Sequence, residues 1–428
     1  MHDHLPEGIG FAVLLCLSVP ASAPGEEAAM KWFKGNTHAH SLWSDGDGLP
    51  EMVADWYKEH GYAFLILTDH NTLVRGARWR DVTGNQKALD KGAQRFGADW
   101  NRTRTQGDKL ELRLKTLEDF RAEFEEPGKF LLIEGEEISD LRSVHLTVFN
   151  LPECIKPQGG TTAGATLNAD IAAVRKAARK CRRPVGLFIN HPNFDYALTA
   201  EDLIEARDAR FVEIANAHPL VRNEGDARHP PVERLWDIAN AVRLARLKIP
   251  PLLGVADDDT HSYHKATGAV PGQAWVMVRA GELTLKALLA ALDRGDFYSS
   301  TGVLLKTLDY DPGRGTLTVE VRPSDGAEYT ISFVGTRDDA DIAGQPVDAV
   351  GKDGKPLRVT QRYSDDIGKT LAVVKGPRAT YKLTGGELYV RAVVRSNRPS
   401  SRKNLPEQAW TQPVGWEKKL ATHEQVVS

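Results

Sequence analysis

The sequence is poor in cysteine, with three in all, one of which (Cys16) lies in an apolar run near the amino end. The other two, Cys154 and Cys181, are too few for a disulfide scaffold, and there is no C-x-x-C pair to hold zinc through sulfur. Any metal centre in this chain must therefore be built from nitrogen and oxygen. An excess of one charge is missing too. Lys plus Arg number 55 against 58 Asp plus Glu, a net charge of -3, so nothing in the balance points to a nucleic-acid partner or a membrane surface. The apolar run at residues 9–19 is too short to span a bilayer, so no integral membrane segment is expected. Pro20 and the small residues Ala21-Ser22-Ala23 come next, so residues 1–23 read as a secretory signal and the protein as periplasmic or secreted. A true start at Met30 would make it cytoplasmic instead. G-x-S-x-G, the P-loop and G-x-G-x-x-G are all absent, which removes support for a serine-nucleophile route and for nucleotide-dependent transfer. No internal repeat or low-complexity tract is present.

What remains is an ordinary globular composition, 41% hydrophobic and 26% charged, in a chain long enough for two domains or a large barrel with an appendage. The stretch that organises the rest is residues 36–46, N-T-H-A-H-S-L-W-S-D-G. His38 and His40 come after a short strand-like run, Lys31 to Gly35, and residues two apart on a strand face the same way. A lone H-x-H is more often a pair of hydrogen-bonded surface histidines than a pair of ligands, so its meaning depends on where the other His, Asp and Glu residues of the chain fall.

A helix is predicted from Pro50 to Gly61, then a buried strand from Tyr62 to Leu67 ending in Thr68-Asp69-His70-Asn71. Residues 72–128 read as an insertion with helices near 85–96 and 117–126, lying over the mouth as a substrate lid or as a solvated excursion. Further strands are predicted at 130–133 (ending Glu134-Gly135-Glu136-Glu137), 143–150, 185–189, 211–214, 252–255 and 275–278. Helices at 169–181, 231–246 and 284–294 separate several of them. Alternating strands and helices whose strands end in polar residues are how a parallel α/β barrel presents a site. Beyond about residue 304 the helical patterns stop. Short alternating segments at 316–321, 329–334, 357–363 and 388–394 predict a small β-sandwich or meander over 305–420 with no chemistry of its own.

Six of the 13 histidines (His38, His40, His70, His145, His191 and His261) fall at or beside predicted strand ends, interleaved with Asp45, Glu137 and Asp259. Such groups are costly to crowd together unpaired, and bound cations resolve the cost. His218 and Arg222, just past another strand end, are candidates to bind an anionic group or to protonate a leaving group.

The order of these motifs resembles the PHP (polymerase and histidinol phosphatase) family over residues 31–304. H-x-H-S-x-x-S-D-G at 38–46, T-D-H ending at His70, G-x-E-I-S at 135–139, V-H at 144–145, the histidine before Pro192 and D-x-H at 259–261 come in sequence. Within that family the chain looks most like the branch that includes carbaryl and related carbamate hydrolases. The resemblance implies a distorted (β/α)7, TIM-like barrel with a smaller all-β carboxyl-terminal domain, and two to three divalent ions (Zn, Mn or Fe). It implies that Glu137, and not Glu134 or Glu136, bridges two ions. One site would use His38, His40, Glu137 and Asp259, a second Glu137, His145 and His191, and a third Asp45, His70 and His261. Family members carry either histidine or aspartate at the position of Asp45.

The expected function is metal-dependent hydrolysis of a small-molecule substrate by a water activated between the ions, with Glu137 and Asp45 in the catalytic centre. A phosphate mono- or diester is the first expectation and a carbamate, ester or amide bond the alternative; a non-catalytic metal- or ligand-binding barrel is the third reading. An arginine pair in the mouth would favour phosphate, with Arg75, Arg78, Arg142 and Arg222 as candidates.

Overall fold

A computed structural model describes residues 29–351, 353–401 and 406–424. The expected signal segment, 1–23, lies outside the described residues. No helix among the described residues is long and apolar enough to cross a membrane.

The chain opens with β1 (Lys31–Asn36), α1 (Pro50–Glu59) and β2 (Phe64–Leu67). The insertion holds β3 (Trp79–Asp81), α2 (Gln86–Phe96), β4 (Thr103–Gln106), β5 (Lys109–Arg113) and α3 (Leu117–Phe124). Then come β6 (Leu131–Asp140), β7 (Val144–Phe149), α4 (Ala163–Cys181), β8 (Gly186–Ile189), α5 (Ala200–Glu205), β9 (Phe211–Asn216), α6 (Val232–Val242) and β10 (Leu253–Asp257). The series ends with β11 (Trp275–Ala280), α7 (Leu285–Arg294) and β12 (Phe297–Ser300).

Seven of these strands form a ring in the order β10-β9-β8-β7-β6-β2-β1. The ring is not a closed ladder. β10 is its free edge, since β1 also pairs with β11, and the segments that follow β1 and β10 meet at the carboxyl ends, where Ala39 and Thr260 form a parallel bridge and the His40 N–H donates to Thr260 O at 2.9 Å. Lower down, side chains do what a neighbouring strand would do. The Gln412 amide accepts from Gly254 N (2.8 Å) and donates to Gly254 O (2.9 Å), and Ser299 Oγ donates to the same carbonyl. An edge strand's backbone groups need partners, and here amide and hydroxyl side chains supply them.

The parallel barrel expected from the sequence is corrected at one strand, since β7 runs antiparallel to both β6 and β8. The turn between β6 and β7 is too short for a crossover helix, so the chain reverses directly. This reversal brings His145, at the start of β7, to the end of the ring where the other strands finish.

The strands beyond residue 304 differ from the expected separate sandwich. They are β13 (Leu305–Asp311), β14 (Thr316–Val321), β15 (Tyr329–Arg337), β16 (Lys369–Lys375), β17 (Arg378–Lys382), β18 (Glu387–Pro399) and β19 (Pro406–Thr411). β12 pairs with β19, so the sheet runs without interruption from the ring through β11 and β12 to β19-β18-β15-β16, thirteen strands in all. A three-stranded sheet, β13-β14-β17, shares an apolar core with it: Leu317, Val319 and Val321 pack with Ile331, Phe333 and Val390. The strand expected at 357–363 does not form. There Thr360, Arg358 and Tyr363 bond instead to α5 and its cap, through Ala200 N, Asp202 and Glu201.

The carboxyl-terminal strands are tied to the ring by a buried charge cluster. Arg391 on β18 donates to both oxygens of Asp237 on α6 (2.9 and 2.7 Å), and the Tyr389 hydroxyl donates to Oδ1 (2.7 Å). Glu233 Oε2 lies 2.9 Å from Arg391, and Trp236 stacks under the guanidinium. Removing one partner of such a cluster leaves a buried charge unpaired. Asp237→Ala is expected to cost about 3–5 kcal/mol in urea unfolding; a loss below about 1 kcal/mol, the range of exposed pairs, would show that the two parts are held by the apolar core alone.

Candidate metal centre

The site begins with how residues 37–46 are held. The Asp69 carboxylate accepts from Ser41 N (2.8 Å), Ser41 Oγ (2.8 Å) and Ser44 Oγ (2.7 Å), which curls the chain after β1. Gly46 closes the curl, its N–H donating to Ser41 O, and a Cβ there would sit 2.7 Å from the His40 backbone, so no larger residue fits. The insertion supports this loop from outside. Trp43 Nε1 donates to Lys115 O at 2.9 Å, and Leu42, Trp43 and Leu49 share a buried core with Val82, Leu89, Leu112, Leu117 and Phe120. These insertion residues, expected as a lid or a solvated excursion, pack as a buttress to the loop because their apolar side chains have a core to enter.

The structure brings together all nine residues expected as ligands. Around His38 Nε2 and His40 Nε2, 3.0 Å apart, Asp259 Oδ1 lies 3.4 and 3.1 Å away. Glu137 sits at the centre. Its Oε1 is 3.3 Å from His38 Nε2, 3.1 Å from His145 Nδ1 and 3.2 Å from His191 Nε2. Its Oε2 is 2.7 Å from His70 Nδ1 and 3.6 Å from His40 Nε2. Asp45, with its side chain 57% exposed, places Oδ1 3.5 Å from His70 Nε2 and 3.4 Å from His261 Nε2. His70 thus stands between Glu137 and Asp45, one ring nitrogen toward each, and its Nδ1 also meets Ser139 Oγ.

Four overlapping donor groups have the spacing to hold an ion: His40-Asp45-His70-His261, His38-His40-Asp259, His70-Glu137-His145 and His38-Glu213-Asp257. The triangle of His38 Nε2, His40 Nε2 and Asp259 Oδ1 is the test of fit. Its sides of 3.0, 3.1 and 3.4 Å match the roughly 3.0–3.5 Å edges of a coordination shell with bonds of about 2.0–2.2 Å. The donor set fits borderline divalent ions.

The electrostatics call for positive charge. Burial alone would raise the Glu137 pKa, but His38, His145 and His70 hold it well below the usual range. Asp259 is held down likewise by His38, His40 and His261 against burial. Burial works against protonating His70, yet Glu137 and Asp45 push its pKa up to about 10. His40 goes the other way, down to about 3, through burial and the neighbouring His261. A site that drives some imidazoles to hold protons and others to shed them is one where cations can take the protons' place.

Sequence reasoning missed the groups that orient these ligands. Glu213, buried in the middle of β9, accepts from His38 Nδ1 (2.8 Å), the His191 N–H (2.8 Å) and Asn216 Nδ2 (2.9 Å), leaving His38 Nε2 to face the cluster. Its signal was present: a single carboxylate inside the apolar run Phe211-Val212-Glu213-Ile214. Asp257 lies beside Glu213, and burial and that neighbour raise its pKa well above the usual range. Asn190 Nδ2 donates to Glu137 Oε1 at 2.8 Å. Asp258 is structural, accepting from Gly272, Gln273 and Ala274 N–H groups and the Tyr57 hydroxyl.

The remaining expected residues divide between the cluster and its surroundings. Glu134 is paired with Arg75, and Glu136 is buried, accepts from Ile155 N and is pushed up to about 7 by burial; neither meets the cluster. His218 reaches it, with its ring 5.2 Å from that of His261, and Leu220 N–H donates to its Nδ1. Arg222 does not. Its carbonyl accepts from Asn193 Nδ2, and the residue is exposed. Arg142 donates to Gly160 O and Arg78 stacks near Trp43, so the expected arginine pair is absent from the cluster among the described residues.

The backbone around the site is strained. Asn71, Arg142, Ser143, Asp195, Tyr196 and Asp259 have φ between +48° and +64°, all in the segments that leave β2, β6, β8 and β10 at this end. Left-handed non-glycine residues cost about 1–3 kcal/mol each and collect where geometry is fixed for function.

No protein-family model matches the chain, and no curated protein matches its sequence. Solved structures similar to this chain include the following three. One is a two-domain protein containing a predicted PHP-like metal-dependent phosphoesterase from Bacteroides vulgatus ATCC 8482, at 14% identity and TM-score 0.38, covering 92% of this chain and 100% of that one. Another is a candidate metal-dependent phosphoesterase from Bifidobacterium adolescentis ATCC 15703, at 16% identity and TM-score 0.28, covering 55% and 90%. The third is an amidohydrolase from Chromobacterium violaceum with bound sulfate and no metal, at 14% identity and TM-score 0.28, covering 55% and 89%. At these identities and TM-scores none carries weight for the function of this chain.

The Glu213 arrangement makes a direct prediction. Glu213→Ala leaves three buried donors without their acceptor, each worth about 1–3 kcal/mol, so the melting temperature should fall well below that of Glu134→Ala, which removes only a surface pair. Equal melting temperatures for the two variants would contradict the orienting role.

Proposed function

We propose that the protein is a metal-dependent hydrolase and that its first substrate class is phosphate esters. The observation that supports this most is the convergence of five histidines with Asp45, Glu137 and Asp259 in overlapping donor groups, with His191 beside Glu137 and Glu137 touching both sides. His38, His40 and Asp259 would hold one ion with Glu137, Glu137 would reach a second with His145 and His191, and Asp45, His70 and His261 would hold a third. When bound, such ions supply an acidified water and polarise the substrate oxygen under attack.

The chain's own residues do the rest. Glu213 and Asn190 fix the direction of His38 and Glu137, so the donors are in place before substrate arrives. His218, whose Nδ1 accepts from Leu220 N–H, carries its proton on Nε2 and is suited to donate a hydrogen bond to a departing alkoxide or phenoxide oxygen. Several dications together favour a substrate whose negative charge must be offset on entry and as the transition state spreads it over oxygens.

A second reading, hydrolysis of a carbamate, ester or amide, is favoured by Phe194. Its ring lies 6.0 Å from His145, 5.2 Å from His191 and 6.4 Å from His218, forming an apolar wall beside the donors that suits a neutral aryl group.

Protein purified under mild conditions should carry about two to three equivalents of Zn, Mn or Fe. Glu137→Gln should release metal and activity together, while Glu134→Gln and Glu136→Gln retain both. Elemental analysis below about a tenth of an equivalent, unchanged by reconstitution, would contradict the ion-binding role. For the substrate class, p-nitrophenyl phosphate, bis-p-nitrophenyl phosphate and a 1-naphthyl carbamate should be compared on fully metallated enzyme. Phosphate turnover is expected to lead. Carbamate kcat/KM higher by about a hundredfold, or about 2.7 kcal/mol, would select the second reading and leave the metal centre intact.

A further inference from the structure

A second cavity, of about 180 Å³, lies at the other end of the ring. Its walls come from Trp32 near the start of β1, Arg210 just before β9, Leu253 and Phe297 at the first positions of β10 and β12, and Trp416 beyond β19. The histidine cluster lies past the opposite ends of these strands. One water needs about 10–15 Å³ of such space, so this cavity can take a small organic molecule.

Its polar side is built around Arg210. That guanidinium is largely removed from solvent and donates one N–H to Pro251 O, and no carboxylate lies within ion-pair distance of it among the described residues. Burial lowers its pKa, and Asp293 and Glu417 offset this only from a distance. Arg279 and Arg294 share one acceptor, Asp296, at 3.3 and 2.9 Å. Two cations on one carboxylate, beside a third with free donors, leave the wall short of negative charge.

Its apolar side is aromatic. Trp416 lies 5.4 Å from the Arg210 guanidinium and Trp32 5.6 Å from that of Arg279, with Tyr310 and Phe297 also lining the space. A guanidinium fork matches the two oxygens of a carboxylate, and indole faces take a flat ring. Asp296, and Glu417 on the exposed rim, would oppose a dianion more than a monoanion.

We propose that this cavity is a binding site for a small aryl carboxylate, separate from the histidine cluster. The carboxylate would sit on Arg210 and the ring against Trp32 and Trp416.

The test is calorimetric titration of the full-length, metal-loaded protein with benzoate and, separately, with inorganic phosphate. Benzoate should bind saturably at one per chain, with phosphate at this cavity weaker by at least about tenfold, or about 1.4 kcal/mol; phosphate heat from the metal centre is told apart by its persistence in Arg210→Gln and Trp416→Leu. Arg210→Gln or Trp416→Leu should weaken benzoate by a similar factor, whereas His191→Ala, in the other cluster, should not. If Arg210→Gln does not fold, Trp416→Leu decides alone. The proposal is overturned by any of three results: no saturable benzoate heat up to about 10 mM, unchanged affinity in both cavity variants, or loss of binding in His191→Ala. Phosphate binding as tight as benzoate, and lost in Arg210→Gln, would overturn the carboxylate assignment.

Discussion

The structure depends on one electrostatic demand: Glu137 and Asp259 are buried, and Glu213 with them, among imidazoles that cannot all be protonated. Isolated buried carboxylates are costly, by an amount that no apolar packing nearby can repay. The chain meets the demand in layers. Glu213 and Asn190 fix the inner ligands, Asp69 fixes the loop that carries His38 and His40, and left-handed backbone at Asn71 and Asp259 aims the segments that leave β2 and β10. What the layers leave unmet is positive charge at the centre.

Holding such a centre requires a rigid frame, and the frame is larger than the ring. The β10 edge of the seven-stranded ring is capped by the side chains of Gln412 and Ser299, and one bridge links the segments beyond β1 and β10, so residues far along the chain satisfy it. The Arg391–Asp237 cluster and the packing of Trp410 against the ring's core bind the later strands to it. On the other side, the insertion fills the space behind Trp43. Both additions pack against the frame that holds the donors.

Much of the centre was legible in the sequence because ligand chemistry uses few residue types, and those types fell where strands end. The strand-to-helix alternation was legible for the same reason that it folds: apolar runs of strand length alternate with helical spacing. Three things were not. The reversal of β7 depends on a short turn, which periodicity does not reveal. The role of residues 357–363 was lost because their hydrogen bonds go to α5 and not to a ladder, although their alternation is strand-like. Nearness in sequence to a strand end did not place Arg222, which is exposed and whose carbonyl accepts from Asn193. Glu213 could have been found, since a charge in a buried strand needs a partner.

The central claim is that cations complete this cluster, and anomalous diffraction from crystals of the protein at the absorption edges of zinc, manganese and iron tests it most directly. The account predicts peaks within bonding distance of His38 Nε2, His40 Nε2 and Asp259 Oδ1, and a second beside Glu137 and His145. Clear density for these side chains with no anomalous peak among them, in crystals grown with those metals present, would contradict it.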